Sequence, residues 1–208
     1  MMTTDDLGTT GTRAPRPAGR PRSQEADLAI LRAALDLLIE YGAAQTSIER
    51  VAKQAGVTRA TVYRRYADKT ALLVQALQWA HHDTDPDFTG WRDLDHMFGD
   101  WAAHLSDPRN RVLLRRVFGT VDDYPELIKA YREANGGRRA AVVREALSLA
   151  RARGELPAHL DVDVVEEVLS GAVMGHLGSH PDDEGAEQIK DYFLAIMKQF
   201  GYRPATKL

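Results

Sequence analysis

Apolar side chains recur at helical spacing along most of the chain, and no run alternates β-branched with polar residues as a half-buried strand does. After Ser23, which we predict to cap the first helix, Leu28, Leu31 and Leu35 mark one apolar face. Gly42 then stands where a glycine commonly ends a helix. The pattern predicts an all-α protein.

Two short helices with a tight turn between them are predicted at about residues 46–65. Thr46 or Ser47 can cap the first helix, and Thr58 can cap the second. Gly56 lies between them and is able to adopt a left-handed turn conformation. This arrangement is typical of a helix-turn-helix, in which the second helix enters the major groove of DNA and the first braces it.

The same segment has an inner and an outer side. The small or apolar residues on its inner side are suited to a compact core: Ile48, Val51, Ala52, Val57 and Val62. The residues at the start and on the outer side of the second helix face DNA in this arrangement: Thr58, Arg59, Ala60, Thr61 and Arg64.

Longer helical patterns follow. A fourth helix starts at Asp68 and runs towards Ala80, and a polar segment from His81 to Gly90 then interrupts the pattern. Further helices are predicted at about 91–106, 108–121, 125–153, 162–179 and 184–200, and the glycine pair at 136–137 is expected to kink the third. We therefore divide the chain into a disordered basic arm (1–22), a three-helix helix-turn-helix domain (23–68) and a larger helical domain (69–208).

Composition narrows the possible functions. The 208 residues include no cysteine, which excludes disulfides and zinc–thiolate sites. We find neither a membrane-length apolar run nor a signal-peptide core, so we expect a cytoplasmic protein with no membrane partner. Residues 13–69 hold eleven Lys and Arg against six Asp and Glu, whereas the remainder holds sixteen against twenty-four. That asymmetry is expected when one part of a protein binds a polyanion, although uneven surface charge is an equal alternative.

The stretch from Thr46 to Leu73, T-S-I-E-R-V-A-K-Q-A-G-V-T-R-A-T-V-Y-R-R-Y-A-D-K-T-A-L-L, resembles the DNA-binding domain of the TetR family of bacterial regulators. The G-R-P-R stretch that ends at Arg22 and the lone Lys69 match in position, whereas Ala60 stands where the family often has glycine. The resemblance implies an N-terminal helix-turn-helix domain followed by a larger helical domain for ligand binding and dimerisation.

Chemistry and the resemblance together assign roles at the DNA surface. Arg59 is suited to reading a base, because arginine binds guanine O6 and N7 through two hydrogen bonds. Tyr63 and Lys69 match family residues that bind backbone phosphates, and Arg65 makes the same stretch more basic. The arm arginines fit minor-groove contact or simple solubility equally well. The predicted DNA interface is Arg20, Arg22, Thr46, Thr58, Arg59, Ala60, Thr61, Tyr63, Arg64 and Lys69.

A single head of this size reads only a few base pairs, so we expect a homodimer on a pseudo-palindromic operator in double-stranded DNA. The resemblance places the dimer contact on the last two helices. The predicted interface residues are Val168, Ala172, Gly175, Phe193, Ile196 and Met197. The glycines of the first of these helices also fit packing within one chain.

By the same resemblance, the central helices enclose a pocket for an unknown small molecule, apolar or aromatic in character. The predicted lining residues are Trp79, Trp91, Phe98, Trp101, His104, Phe118 and Tyr124. An aromatic set at helical spacing also fits an ordinary core, and the sequence leaves that alternative open.

Metal and catalytic chemistry find little support. The acidic and histidine-rich segment His81, His82, Asp83, Asp85 and Asp87 fails as a calcium loop, because Phe88 and Leu94 stand at the glycine and glutamate positions. Adjacent histidines on a helix also point in different directions, so we predict a solvated loop. We assign no metal, no cofactor and no catalytic residue, since no hydrolase or nucleotide-binding motif is present.

Three functions are therefore compared. The leading hypothesis is a homodimeric repressor that a small molecule releases from its operator. The alternative is a DNA-binding regulator or architectural protein with no small-molecule ligand, and a solid centre would favour it over a cavity of several hundred cubic ångströms. An enzyme with a DNA-targeting head is the third, and the sequence offers no converging set of titratable groups for it.

Overall fold

The computed structural model describes the backbone of residues 20–84, 91–133 and 137–204. Over these ranges the chain forms ten α-helices and no strand, which confirms the all-α prediction. The helices are α1 (Arg20–Gln45), α2 (Ile48–Gln54), α3 (Arg59–Tyr63), α4 (Lys69–Thr84), α5 (Leu94–Ser106), α6 (Pro108–Phe118), α7 (Pro125–Tyr131), α8 (Gly137–Ala152), α9 (Val162–Ser179) and α10 (Ala186–Gln199). None of the described helices combines the length and the apolar character that crossing a membrane requires.

Three predicted boundaries change. The helix α1 begins at Arg20, so residues 20–22 continue this helix and do not belong to the arm, while 1–19 lie outside the described residues. The helix α4 extends to Thr84 and includes the backbone of 81–83. Asp85 and Asp87 lie outside the described residues. The single helix predicted at 125–153 is two helices, since α7 ends at Tyr131 and α8 begins at Gly137.

Gly42 interrupts α1 as predicted. Its φ of +81° lies in the left-handed region, and the helix resumes for one short turn to Gln45. A Cβ added at Gly42 would lie 3.4 Å from Nη1 of Arg116 on α6. That distance is an ordinary van der Waals contact, so the backbone conformation is what favours glycine here.

The buried side chains form two apolar cores. The head core combines α1, α2, α3 and α4 with Leu113 and Val117 of α6 and with Leu127 and Ile128 of α7. The body core combines α5, α8, α9 and α10 with Leu114 of α6. The head core therefore extends well beyond the predicted domain boundary at 68/69, because α4, α6 and α7 complete it.

Cationic side chains hold the carbonyl end of α1. Arg116 of α6 donates to the carbonyls of Ile39 (3.3 Å) and Glu40 (3.2 Å). Lys69, at the start of α4, donates from Nζ to the carbonyl of Ala43 at 2.9 Å. Cations at a helix C-terminus satisfy carbonyls that lack intrahelical partners and complement the helix dipole.

We expect Gly42→Ala to destabilise the protein by about 1–2 kcal/mol, because an alanine in the left-handed conformation is strained. The matched control is Gly99→Ala in the middle of α5, where an added Cβ meets no atom within 4 Å. That change should stabilise the protein by roughly 0.5–1 kcal/mol, the usual advantage of alanine over glycine in a helix. Urea unfolding at one fixed protein concentration measures both changes, and shifts in the same direction would contradict this assignment.

Candidate nucleic-acid interface

The turn between α2 and α3 depends on one glycine. Gly56 has a φ of +66°, and nothing lies within 4 Å of a Cβ added to it, so conformation rather than space requires glycine. The amide of Val57 donates to the carbonyl of Ala52 at 3.0 Å and closes the turn. The turn residue predicted from the sequence is confirmed.

Both short helices are capped by hydroxyl groups. Ser47 accepts from the amide of Arg50 at 3.3 Å, and Thr58 accepts from the amide of Thr61 at 3.2 Å. These bonds satisfy amides that the first turn of a helix leaves unpaired. The inner side is buried as predicted, with Val57 packing at its edge: Ile48, Val51, Ala52 and Val62.

Thr46 does not cap α2. Its side chain is buried, and its hydroxyl donates to the carbonyl of Gly42 at 2.9 Å. The prediction of Thr46 at the DNA interface is thus corrected: Thr46 stabilises the junction between α1 and α2, and Ser47 occupies the cap position.

The outer side of α3 carries the exposed residues Thr58, Arg59, Ala60, Tyr63 and Arg64. Tyr63 is half exposed, so its ring is not part of the core. Thr61 is partly buried, with its hydroxyl 2.9 Å from that of Thr58. The structure therefore brings six of the ten predicted DNA-binding residues onto one short surface.

Arg59 is paired with an acidic residue on this surface. Its Nη2 lies 2.7 Å from Oε1 of Glu49 on α2, and the two side chains are 60% and 52% exposed. The pKa of Glu49 is lowered mainly by a backbone hydrogen bond within its own residue, and further by the positive charge of Arg59. Sequence reasoning did not single out Glu49, because the pairing joins two helices across the turn.

Two other cations of the predicted basic stretch face the protein. Arg65 forms an ion pair with Asp27 of α1 and donates to the carbonyl of Thr61 at 3.0 Å. Its side chain is only 17% exposed, so the positive charge that Arg65 adds to this stretch faces α1 and not the DNA surface. Lys69 donates to Ala43 as described above and, at 3.1 Å, to the hydroxyl of Tyr124. A phosphate contact by Lys69 would therefore compete with these two bonds.

Arg20 and Arg22 lie in the first turn of α1, and their side chains are outside the described residues.

A cavity of about 520 Å³, partly open to solvent, lies among α5, α6, α7, α8 and α9. Three aromatic residues line it: Trp101, Phe118 and Tyr131. Charged residues line it as well: Arg132, Arg139, Glu166 and Glu167. Its remaining lining residues are Ala140, Val143, Ser170, Gly171, Val173 and Met174. Of the seven predicted pocket residues, Trp101 and Phe118 line this cavity.

The other five predicted pocket residues lie elsewhere. Trp91 and Phe98 are buried in the body core, and Tyr124 is bound to Lys69. Trp79 faces a smaller cavity of about 290 Å³ between α1, α4 and α6. His104 is partly buried beside Asn110, and burial, with Arg139 adding to it, lowers its pKa to about 4.

The predicted dimer residues also separate. Phe193 and Met197 are fully buried in the body core, where Phe193 stacks on Phe98 at 5.8 Å. These two residues are therefore not available to a partner chain without unpacking the core, which corrects the prediction. Ala172 and Ile196 are partly buried. Val168 and Gly175 are exposed on α9, on the same face as the exposed Val164 and Gly171.

Comparison with known proteins agrees with this architecture. Residues 30–76 match the family model described as bacterial regulatory proteins, tetR family. Residues 89–193 match the model of the tetracyclin repressor-like C-terminal domain.

Individual relatives span nearly the whole chain. The uncharacterized HTH-type transcriptional regulator YdeS of Bacillus subtilis is 24% identical over 195 residues, covering 91% of this chain and 96% of its own. The DNA-binding transcriptional repressor TetR of Mycobacteroides abscessus is 28% identical over 197 residues, covering 88% and 98%. The solved structure of the fatty acid degradation regulator FadR from Bacillus halodurans superposes with a TM-score of 0.66 at 17% identity, covering 89% and 100%.

The second family model alone covers half of the chain, and the first covers the turn, caps and buried side of the helix-turn-helix. The chain therefore belongs to the TetR family, and it is a helix-turn-helix transcriptional regulator that binds DNA.

Proposed function

We propose that this regulator acts as a homodimeric repressor, which binds a pseudo-palindromic operator through α3 and leaves it when a small molecule fills the 520 Å³ cavity. One observation carries the proposal. Phe118 and Tyr131 line the cavity, and the same two rings pack against the head core that holds α2 and α3. A ligand that moves these rings acts directly on the packing of the DNA-binding head.

On the operator, α3 supplies the contacts. Arg59 is suited to a guanine in the major groove, and the hydroxyl of Tyr63 and the guanidinium of Arg64 are suited to phosphates. Ala60 carries only a methyl group between them and lets the backbone of α3 approach the DNA. The basic segment that precedes α1 is suited to the adjacent minor groove.

We expect Arg59→Ala to relax the preference at one base pair of each half-site. A bidentate arginine contact discriminates by about 1–3 kcal/mol, so the affinity ratio between the best and the substituted operator should fall roughly 5- to 150-fold. The control is Arg92→Ala, an exposed arginine just before α5. Selection of the operator from random DNA, followed by titration at fixed salt, measures the ratio. If Arg59→Ala keeps the base preference of the unchanged protein, the orientation of α3 in this proposal is wrong.

Dimerisation is supported by the exposed face of α9. Val164 and Val168 are large apolar residues that are 52% and 41% exposed, and Gly171 and Gly175 continue the same face. Small residues on a helix allow a partner helix to approach closely, and apolar residues beside them provide the area that association requires. The last two helices also pair the chains in the family that this sequence resembles.

We expect Val168→Asp to convert the dimer into a monomer. An unpaired charge buried in an interface costs about 3–5 kcal/mol, which weakens association by more than about 100-fold. The control is Leu149→Asp, which places the same charge at an exposed leucine of α8. Light scattering after gel filtration gives the mass of each variant. If Val168→Asp remains a dimer, the exposed face of α9 is not the dimer interface.

The cavity has the size and lining of a ligand site. Small-molecule sites commonly enclose about 300–1,000 Å³ and combine aromatic walls with a few polar groups. Here Arg139 lies over the ring of Trp101 at 4.8 Å from its centroid, and Glu166 accepts from Ser170 at 2.9 Å. The lining favours a ligand with an aromatic or apolar body and a polar group. A regulator without a ligand would not need such a cavity, which is why we prefer the ligand-released repressor to that alternative.

The short helix α7 connects the cavity to the head. Tyr131 at its end packs edge-on against Phe118 at 5.4 Å, and both rings line the cavity. Tyr124 directly precedes its start and accepts the hydrogen bond from Lys69, which also binds Ala43. Displacement of Tyr131 by a ligand therefore changes the position of α7 against α4 and the junction between α1 and α2.

We expect Ala140→Phe to abolish ligand binding, because the added ring occupies the cavity. The control is the neighbouring Ala141→Phe, whose side chain is exposed and does not line the cavity. A thermal-shift screen with a panel of small aromatic and apolar compounds identifies ligands of the unchanged protein. Compounds that raise its melting temperature should have no effect on Ala140→Phe and should release the operator. If a compound raises the melting temperature of the unchanged protein, Ala140→Phe and Ala141→Phe equally, it does not bind in this cavity.

A further inference from the structure

His176, His180 and Glu184 converge at the end of α9 and in the loop that follows it. Each offers one ligand atom, and these three atoms lie within 4.8 Å of one another. His176 is fully buried, and His180 and Glu184 are partly buried. His176 and His180 are four residues apart at the end of α9, and the loop that follows brings Glu184 back to them.

Two buried atoms in this group lack hydrogen bonds. Nε2 of His176 lies 2.9 Å from Oε2 of Glu184, but the approach does not have hydrogen-bond alignment, and neither atom has another partner. Buried polar atoms are nearly always paired, so an unpaired nitrogen and an unpaired carboxylate oxygen facing each other require an explanation. Two lone pairs that point at a common ion give this arrangement.

We propose that His176, His180 and Glu184 form a site for a divalent transition metal ion such as Zn²⁺. Imidazole nitrogens and carboxylate oxygens are both zinc ligands, with bonds of about 2.0–2.2 Å. Two ligands of a tetrahedral zinc lie about 3.3–3.6 Å apart at that bond length, so the 2.9 Å between His176 and Glu184 widens by about half an ångström when the ion enters. Three protein ligands leave the remaining position to water.

The surroundings orient the two imidazole rings. The ring of His180 stacks on that of His176 at 4.3 Å, and Tyr192 packs edge-on against both, at 4.9 and 5.1 Å. The hydroxyl of Ser179 lies 3.4 Å from Nδ1 of His180, which leaves Nε2 to act as the ligand.

Arg111 is the group that opposes the ion. Its Nη1 lies 3.4 Å from Nδ1 of His176, and a metal on Nε2 requires the proton on Nδ1, so this long contact opens. The charge of Arg111 is offset by Asp182, which Arg111 and Arg115 both bind and whose pKa they lower to about 2. Arg111 keeps its other bonds, to the carbonyls of His180 (3.3 Å) and Pro181 (3.2 Å).

Metal binding therefore ties the loop between α9 and α10 to the end of α9, and Asp182 of that loop is bound by Arg111 and Arg115 of α6. The same helix α6 holds the end of α1 through Arg116, as described above. The site lies beside the exposed face of α9, but it does not depend on the proposed repressor mechanism, since its ligands all come from one chain.

Titration of the full-length protein, without a histidine tag, by Co²⁺ and by Zn²⁺ tests the site. We expect one Co²⁺ per chain, with visible absorption bands that Zn²⁺ displaces. His180→Ala and Glu184→Gln should each weaken binding at least tenfold. Loss of a group that only orients a ligand weakens metal binding by about 10–100-fold, and loss of the ligand itself costs more. These two positions are partly buried, so the variants are chosen in preference to changes at buried His176.

Two controls separate this site from others. His159→Ala removes an exposed histidine between α8 and α9, and the pair His81→Ala and His82→Ala removes the histidines of the acidic segment. Both should bind Co²⁺ like the unchanged protein. A Zn²⁺-dependent rise in melting temperature, reversed by a chelator, gives a readout that needs no variant. The proposal is overturned by the absence of saturable binding and of that rise, by unchanged binding in His180→Ala and Glu184→Gln, or by loss of binding in the His81 and His82 variant.

Discussion

The DNA-binding surface depends on the packing of α2 and α3 against α1, because neither short helix is stable by itself. The helix α2 has seven residues and α3 has five, whereas isolated helices below about 12–15 residues are marginal in water. Their few buried side chains, among them Val51 and Val62, join a core that α1 and α4 provide. The ion pair of Arg65 with Asp27 adds a charged contact between the end of α3 and α1. The contacts that hold α1 in place therefore also determine the orientation of α3.

Two further helices position α1, and both extend to the centre of the protein. The helix α6 holds α1 through Arg116 and ends at Phe118 in the cavity wall. The helix α7 begins beside Lys69 and ends at Tyr131 in the same wall. With seven residues, α7 is only about 10 Å long, so a shift at one end is readily felt at the other. The rings of Phe118 and Tyr131 thus pack against both cores, so the head core and the body core are continuous at the cavity wall.

The sequence predicted those features that depend on neighbouring residues. Gly56 and the cap Thr58 follow from local conformational preferences, so the turn and the start of α3 were identified correctly. Helical periodicity marks an apolar face but does not say what covers it, and Phe193 was assigned to a partner chain although it fills the core of its own. Contacts between distant residues, such as that of Lys69 with Tyr124, leave no periodic signal. For the same reason, only two of the seven predicted pocket residues, Trp101 and Phe118, line the cavity. Tyr131 lines it as well but was not predicted.

The pairing of Arg59 with Glu49 bears on how the head distinguishes sequences. Both side chains are more than half exposed, and exposed ion pairs are weak and screened by salt, so Arg59 leaves Glu49 at little cost. In the proposed operator complex, Arg59 exchanges one carboxylate for two acceptors on the edge of a guanine. At any other base, Arg59 remains paired with Glu49. Glu49 therefore sets the reference state against which the base contact competes, and it lowers the discrimination by the small free energy of this exposed pair.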